Sequence, residues 1–172
     1  RQRQMCIRDR NEYQDTAINK ILASINSNCV YLLDGLTGSG KTEVYMTVME
    51  NVIESGNQCL VLLPEIGLTP QLIQRFKNRF DVQIGIQHSG LSNIERLKHW
   101  QDSKSGKAKI ILGTRSAIWT PLKNPGIYII DEEHDLSYKQ EDNIRYQARD
   151  LAIVRSKIEK FPIILSSATP SI

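Results

Sequence analysis

One stretch of the sequence places residue types that bind phosphate groups in a fixed order. Residues 35–42 read Gly-Leu-Thr-Gly-Ser-Gly-Lys-Thr, which fits the phosphate-loop pattern Gly-x-x-x-x-Gly-Lys-[Ser/Thr] at every constrained position. Glycines let successive backbone N–H groups point inward at phosphate oxygens, and the helix that follows adds its positive N-terminal end. The lysine brings a charge to the β- and γ-phosphates, and the last threonine can ligate Mg²⁺. We therefore predict a nucleotide site formed by Gly35, Thr37, Gly38, Ser39, Gly40, Lys41 and Thr42, with Lys41 also catalytic.

A second cluster, Asp131-Glu132-Glu133-His134, follows directly after the apolar run at residues 127–130. In phosphate-loop NTPases, an aspartate at the end of a buried strand holds Mg²⁺, usually through water. We predict this role for Asp131, together with Thr42. Glu132 is predicted to be catalytic, because it could accept a proton from the attacking water. The alternative interpretation is a solvated acidic turn without a catalytic role.

Short apolar runs alternate with helical patterns along the chain. The strand-like runs lie at residues 30–33, 59–63, 82–86, 109–112, 127–130 and 163–165. This alternation predicts an α/β domain with a mainly parallel sheet and helices on both faces. In such sheets ligands bind beyond the carboxyl ends of the strands, and both clusters described above follow strand ends. Thr69 and Ser92 are expected to cap helices, and Leu151, Ala152, Val154 and Ile158 are expected to face inward from the last helix.

Composition excludes several classes of protein. The 172 residues are enough for one domain with a sizeable core, and 40% hydrophobic with 24% charged residues suits a globular chain. No apolar run approaches the ~18 residues that a membrane span requires, so no membrane partner is expected. The three cysteines are scattered without a C-x-x-C pair, which predicts neither a disulfide framework nor a zinc site. A reducing, cytoplasmic location follows as an expectation.

The formal charge of +3 is concentrated at one end of the sequence. Residues 1–10 carry four arginines and one aspartate, which accounts for the whole excess of basic groups. A short arginine-rich arm could bind nucleic acid or serve as a transit peptide. We interpret it instead as a non-native leader and treat residues 11–172 as the domain. Bulk charge therefore says nothing about nucleic acid binding, and only local motifs can support it.

Several motifs together resemble those of one protein family. Residues 35–42, the cluster at 131–134 and Ser167-Ala168-Thr169 resemble motifs I, II and III of superfamily 2 helicases, the DEAH/DExH type. Within that superfamily the match is closer to the primosomal replication-restart helicases. Their characteristic segments are similar to residues 34–45, 64–71, 88–91, 113–117, 131–140 and 145–150 of this chain.

The resemblance implies a fold and a set of site residues. The chain would be the N-terminal RecA-like P-loop NTPase lobe of an ATP-dependent 3′–5′ DNA helicase, using ATP and Mg²⁺. Gln14 would read adenine, although a solvated glutamine at a helix end is the alternative. Residues that relay nucleotide state would be His134, Ser167 and Thr169, with His134 bonded to the strand end that carries the other two. Residues that contact single-stranded DNA would be Thr114, Arg115, Ser116, Tyr138, Lys139, Arg145 and Tyr146, with ordinary packing as the alternative for both tyrosines.

The same resemblance implies partners and missing parts. Single-stranded and forked DNA, primosome proteins and single-strand-binding proteins would be the partners, in a bacterial, nucleoid-associated setting. The second lobe with its arginine finger is expected to be absent, so the chain alone would bind nucleotide weakly. Zinc would not be bound here, because the family's zinc module would lie elsewhere. Two alternatives stay open: the ATP-binding lobe of another superfamily 2 DNA translocase, for repair or restriction, and a nucleotide-binding interaction module without turnover.

Overall fold

The computed structural model describes residues 10–36, 38–142 and 144–168. Apart from Arg10, the predicted leader lies outside these ranges, and so do the predicted site residues Thr37 and Thr169. Arg10 itself pairs with Asp15 of the first helix, with its Nε 3.1 Å from the carboxylate Oδ1. Within the described ranges, no helix is both long enough and apolar enough to cross a membrane.

Five helices and eight strands follow one another along the described chain. The helices are α1 Glu12–Leu22, α2 Lys41–Glu54, α3 Pro70–Arg79, α4 Asn93–Lys104 and α5 Ala148–Glu159. The strands are β1 Val30–Asp34, β2 Gln58–Leu62, β3 Ile84–Gln87, β4 Ile110–Gly113, β5 Pro125–Ile130, β6 Lys139–Gln140, β7 Tyr146–Gln147 and β8 Ile163–Ser167. Short 3₁₀ turns occur at Glu65–Gly67, Arg115–Trp119 and Leu136–Tyr138.

Six strands form one sheet in the order β1-β8-β5-β2-β4-β3, and every neighbouring pair is parallel. The remaining two, β6 and β7, form a separate antiparallel hairpin. Because all six strands point the same way, their carboxyl ends meet at one edge of the sheet. The predicted α/β fold with a mainly parallel sheet is confirmed.

The core lies on both faces of this sheet. Strand β2 shows the division, because Cys59 and Val61 join one apolar cluster whereas Leu60 and Leu62 join the other. The first cluster is covered by α1, α2 and α3. The second is covered by α5 and by the 3₁₀ turn at Arg115–Trp119. A sheet covered in this way needs strands that are apolar on both sides, which is the pattern of the central strands in the sequence.

Local sequence signals explain where the helices begin. The Thr69 side chain accepts a hydrogen bond from the Leu72 N–H at 3.2 Å at the start of α3. Ser92 caps α4, and Glu95 completes a capping box with it. These caps satisfy N–H groups that have no partner within the helix. Both predicted caps are therefore confirmed.

The prediction for the inward face of α5 is wrong at two positions. Val154 is 50% exposed and Ile158 is 73% exposed. The helix instead packs on the sheet through a narrow line of small buried residues, Ala148, Ala152 and Ser156. Each exposed residue lies two positions after a member of that line, about 200° around the helix. Val154 and Ile158 therefore face away from the sheet, whereas Leu151 and Ile153 pack against the second cluster.

Candidate nucleotide site

The phosphate loop connects β1 to α2 at the carboxyl edge of the sheet. Gly38 and Gly40 have φ values of 83° and 86°, a left-handed conformation that other residues rarely adopt. Gly40 is also the N-cap residue of α2, so the loop leads directly into the positive end of that helix. A Cβ on Gly35 would lie 2.6 Å from the Ser39 Oγ, so a side chain there would require the serine hydroxyl to move. The described part of the loop fits the cradle of N–H groups expected for phosphate.

Lys41 folds back over this loop. Its ammonium group donates to the carbonyl oxygens of Gly35 and, at 3.2 Å, of Leu36. The charge of the predicted phosphate-binding lysine is thus already above the cradle. A triphosphate in the cradle would replace these carbonyl oxygens as the acceptor.

The acid turn at residues 131–134 is fixed by both strands that flank β5. The Asp131 N–H donates to the Leu62 carbonyl of β2 at 2.9 Å, and the Glu133 N–H donates to the Ser166 carbonyl of β8 at 2.9 Å. Between them Glu132 has a φ of 48°, a left-handed conformation that costs about 1–3 kcal/mol outside glycine. Such strain persists only where the surroundings determine it, and it occurs preferentially at functional sites.

Glu133 is the buried member of the turn. Its side chain is 2% exposed, and its Oε2 accepts a hydrogen bond from Nη1 of Arg149 in α5 at 2.9 Å. This ion pair ties the turn to the helix on the second face of the sheet. Glu132, by contrast, has a side chain that is about one-third exposed, so these two neighbouring acids differ in their access to solvent.

The end of β8 joins the phosphate loop to the acid turn. The Gly35 N–H donates to the Ser167 carbonyl at 3.2 Å, and the Ser167 hydroxyl lies 2.9 Å from Nδ1 of His134. His134 also places its Nε2 3.8 Å from Oε2 of Glu132. The contact that the sequence predicted between His134 and this strand end is present. The relay of nucleotide state through it stays a prediction.

Asp131 carries a carboxylate in surroundings that disfavour its charge. Burial raises the pKa of Asp131 above its usual range and the nearby charge of Glu132 raises it further, whereas the hydrogen bond from Tyr45 lowers it. A cation beside Asp131 would therefore be favourable. No group of three or more His, Cys, Asp or Glu residues that could hold a metal occurs in the described ranges. Mg²⁺ would accordingly need phosphate oxygens to complete its coordination, as it does in many nucleotide sites.

Tyr45 contacts this site, although the sequence analysis assigns it no role there. It is 0% exposed, and its hydroxyl donates to Oδ2 of Asp131 at 3.2 Å. The available signal was its position one helical turn after Thr42, which puts both side chains on the same face of α2. That position could not indicate which strand end the tyrosine meets.

Gln14 contacts the phosphate loop rather than solvent alone. Its side chain completes a capping box with Asn11 at the start of α1, and its Nε2 donates to the Ser39 carbonyl at 3.1 Å. The residue therefore lies beside the predicted phosphate-binding loop. Recognition of adenine by Gln14 stays a prediction.

The first group of predicted DNA-binding residues follows β4. Thr114 is only 6% exposed, and its N–H donates to the Gln87 carbonyl, so the prediction that its side chain lies along DNA is not supported by this placement. Arg115 is half-buried and donates to the carbonyl oxygens of Ser137 at 3.3 Å and Lys139 at 2.6 Å. Ser116 is exposed. The accessible side chains at this strand end are therefore those of Arg115 and Ser116.

The second group lies around the β6–β7 hairpin. Tyr138 is 0% exposed and its hydroxyl donates to the Asp131 carbonyl at 2.5 Å, so the prediction that it stacks on DNA is wrong for this conformation. Lys139 and Arg145 are exposed. Tyr146 packs edge-on against Trp119, with ring centroids 5.3 Å apart. Packing, the alternative considered for both tyrosines, describes Tyr138 fully and Tyr146 in part.

Fold and strand-end geometry together define a RecA-like phosphate-loop NTPase domain. More particularly, the chain belongs to the DEAD/DEAH box helicase family, whose sequence model matches residues 11–172. Solved structures with a similar fold include RecG bound to a three-way DNA junction, with a TM-score of 0.65 and 23% identity over 93% of this chain and 21% of that chain. The helicase domain of Pyrococcus furiosus Hef also has a TM-score of 0.65, with 23% identity over 93% of this chain and 33% of that chain.

Similar sequences come from bacteria. Replication restart protein PriA of Haemophilus influenzae is 51% identical over 162 residues, which is 94% of this chain and 22% of that protein. Replication restart protein PriA of Bacillus subtilis is 48% identical over 143 residues, which is 83% of this chain and 18% of that protein. The chain thus spans about a fifth of the length of these relatives.

Proposed function

We propose that this chain is the ATP-binding lobe of a replication-restart DNA helicase that moves 3′ to 5′ along DNA. The observation that carries the proposal is the meeting of the phosphate loop and the acid turn at the end of β8. Gly35 and His134 both bond to Ser167 there, and the Glu133 N–H bonds to the Ser166 carbonyl beside it. Similarity to replication restart proteins from two bacteria supports the biological setting.

The residues at this edge would divide the chemistry among them. The N–H groups of the loop would bind the phosphates of ATP, and Lys41 would exchange its carbonyl partners for phosphate oxygens. Thr42 and Asp131 would hold Mg²⁺, which when bound supplies neutralisation of the phosphate charge. Glu132, at the exposed side of the turn, would accept the proton of the attacking water. A second lobe outside this chain would supply an arginine finger.

Exposed polar and cationic side chains near the strand ends would contact DNA. Ser116, Lys139 and Arg145 are exposed. Arg115 is half-buried and donates to the carbonyl oxygens of Ser137 and Lys139. These side chains suit phosphate contacts that do not depend on base sequence. Single-stranded and forked DNA are the proposed substrates, and primosome and single-strand-binding proteins the proposed partners. We place the protein in the bacterial cytoplasm at the nucleoid, with any zinc held outside this chain.

Two lysine variants of the complete protein, one in the phosphate loop and one on the surface, test the proposal. Lys41→Ala should reduce DNA-stimulated ATP hydrolysis by at least a factor of about 100, because it removes one fixed charge that stabilises the transition state. The control is Lys157→Ala. Lys157 is exposed near the end of α5, which leads back to the amino edge of the sheet, away from the site. Hydrolysis is measured with and without single-stranded DNA, and unwinding with 3′- and 5′-tailed duplexes.

Three results would each contradict a part of the proposal. Equal hydrolysis in both lysine variants would remove the phosphate-loop assignment. Normal hydrolysis without any DNA stimulation or unwinding would leave a nucleotide-binding module of another kind. Unwinding of 5′-tailed duplexes alone would contradict the proposed direction.

A further inference from the structure

The Tyr45 hydroxyl contacts the Asp131 carboxylate, one of the two predicted ligands of Mg²⁺. It donates to Oδ2 of Asp131 at 3.2 Å, across 86 residues of sequence. Thr42, the other predicted ligand, lies one turn earlier on the same face of α2. The helix that follows the phosphate loop and the acid turn are therefore linked through one buried side-chain hydroxyl, in addition to the bonds at β8.

The direction of this hydrogen bond follows from the chemistry of the two groups. Burial raises the pKa of Tyr45 above its usual range, and the charge of Asp131 raises it further. The phenol therefore stays protonated at neutral pH and donates to the Asp131 carboxylate.

We propose that Tyr45 is a positioning residue for the magnesium site, holding the Asp131 carboxylate in place against α2, the helix that carries Thr42, before the metal arrives. This role rests on the proposed function, since it requires Asp131 to act as a ligand. Groups that orient metal ligands typically change metal affinity by 10–100-fold when removed. A buried aromatic ring with a satisfied hydroxyl is the competing explanation, and it predicts lower stability without any change in metal dependence.

Three buried tyrosines allow the two explanations to be separated. Tyr45→Phe removes the hydroxyl but keeps the ring that packs in the core, so the fold is retained. Tyr128→Phe is the matched control, because Tyr128 is 1% exposed on β5, the strand that leads to Asp131, and its hydroxyl has no hydrogen-bond partner in the described structure. Tyr138→Phe is a second control, because its hydroxyl bonds to the Asp131 carbonyl rather than to the carboxylate.

The experiment measures binding rather than turnover. The complete protein is titrated with Mg²⁺ in the presence of a fluorescent ATP analogue, and the Mg²⁺ concentration at half-maximal binding is recorded. Tyr45→Phe should raise that concentration about tenfold, with full binding restored at high Mg²⁺ and unchanged nucleotide affinity in EDTA. Tyr128→Phe and Tyr138→Phe should follow the unmodified protein within a factor of about two, because neither hydroxyl bonds to the side chain of a predicted ligand.

Asp131→Asn provides an independent check. If Tyr45 acts through the carboxylate, Tyr45→Phe should add little to the Mg²⁺ requirement of the Asp131→Asn variant, since the two residues act as one unit. Additive effects, or a Tyr45→Phe titration identical to that of Tyr128→Phe, would overturn the positioning role while the proposed function stands. An unmodified protein whose nucleotide binding ignores Mg²⁺ would instead remove the proposed function, and the positioning role with it.

Discussion

The strand-end site and the β6–β7 hairpin are neighbours in the fold, but they are held in different ways. In the site, backbone N–H groups of Asp131 and Glu133 bond to strands on either side. In the hairpin, exposed Lys139 and Arg145 extend from a short ladder that is attached through Arg115. The sheet therefore fixes the residues predicted for chemistry, whereas Lys139 and Arg145 are exposed where a flexible strand could reach them.

The boundary between the two regions falls between adjacent residues. Tyr138 is 0% exposed and bonds to the Asp131 carbonyl, while Lys139 is exposed and pairs with Glu141 at 2.7 Å. Arg115 bonds to the carbonyl oxygens on both sides of Tyr138. A segment whose sequence resembles a single DNA-contacting loop is thus divided into a buried anchor and an exposed hairpin.

The largest expected effect tests the rigid side of this comparison. Glu132→Gln in the complete protein should lower the turnover rate about a thousandfold, because it removes the general base, with nucleotide affinity nearly unchanged. The matched control on the hairpin is Glu141→Gln, which loses only a surface ion pair and should keep near-normal turnover. Single-turnover hydrolysis and equilibrium nucleotide binding give both quantities. Normal turnover in Glu132→Gln would mean that another group orients the water.

An intermediate effect tests where the boundary lies. Tyr138→Ala should lower the free energy of unfolding by about 3–5 kcal/mol, because it empties a large buried site. The neighbouring change Lys139→Ala should stay within about 0.5 kcal/mol. Urea unfolding followed by circular dichroism measures both. A stable Tyr138→Ala protein with weakened DNA binding would restore the stacking role that the sequence suggested.

The smallest expected effect tests the adaptable side. Arg145→Ala should weaken binding of single-stranded DNA a few-fold and reduce the slope of log affinity against log salt by about 1, because one phosphate contact is lost. Arg96→Ala, an exposed arginine on α4, is the control and should change neither quantity. Fluorescence anisotropy at several salt concentrations measures the slope. A base-sequence preference that disappears in Arg145→Ala would contradict a role limited to the backbone.

Predictability from sequence differs between these regions for a physical reason. The phosphate loop and the helix caps depend on neighbouring residues, so Gly40, Lys41, Thr69 and Ser92 were placed correctly. The apolar runs predicted the parallel sheet, and a parallel sheet brings the carboxyl ends of its strands to one edge. What local pattern could not supply is the order of strands, which decides that β8 lies between β1 and β5.

Tyr45 and Tyr138 show the same limit, because the sequence did not predict their contacts with Asp131. Tyr45 fits the apolar stripe of α2, and nothing near it in the sequence reveals the carboxylate 86 residues away. Tyr138 lies in a polar segment and was expected at the surface. Its burial depends on Arg115 and Asp131, which reach it from two other strand ends. Long-range side-chain contacts of this kind are set by the fold as a whole.

The left-handed backbone of Glu132 has a consequence for how this turn can be altered. Glycine would adopt a φ of 48° without the clash that a Cβ introduces, and asparagine would do so more readily than glutamate. The residue best suited to the bend is therefore not the residue present. Glycine or asparagine at this position would relax the backbone, and it would also remove the carboxylate that we propose as the acceptor of the water's proton.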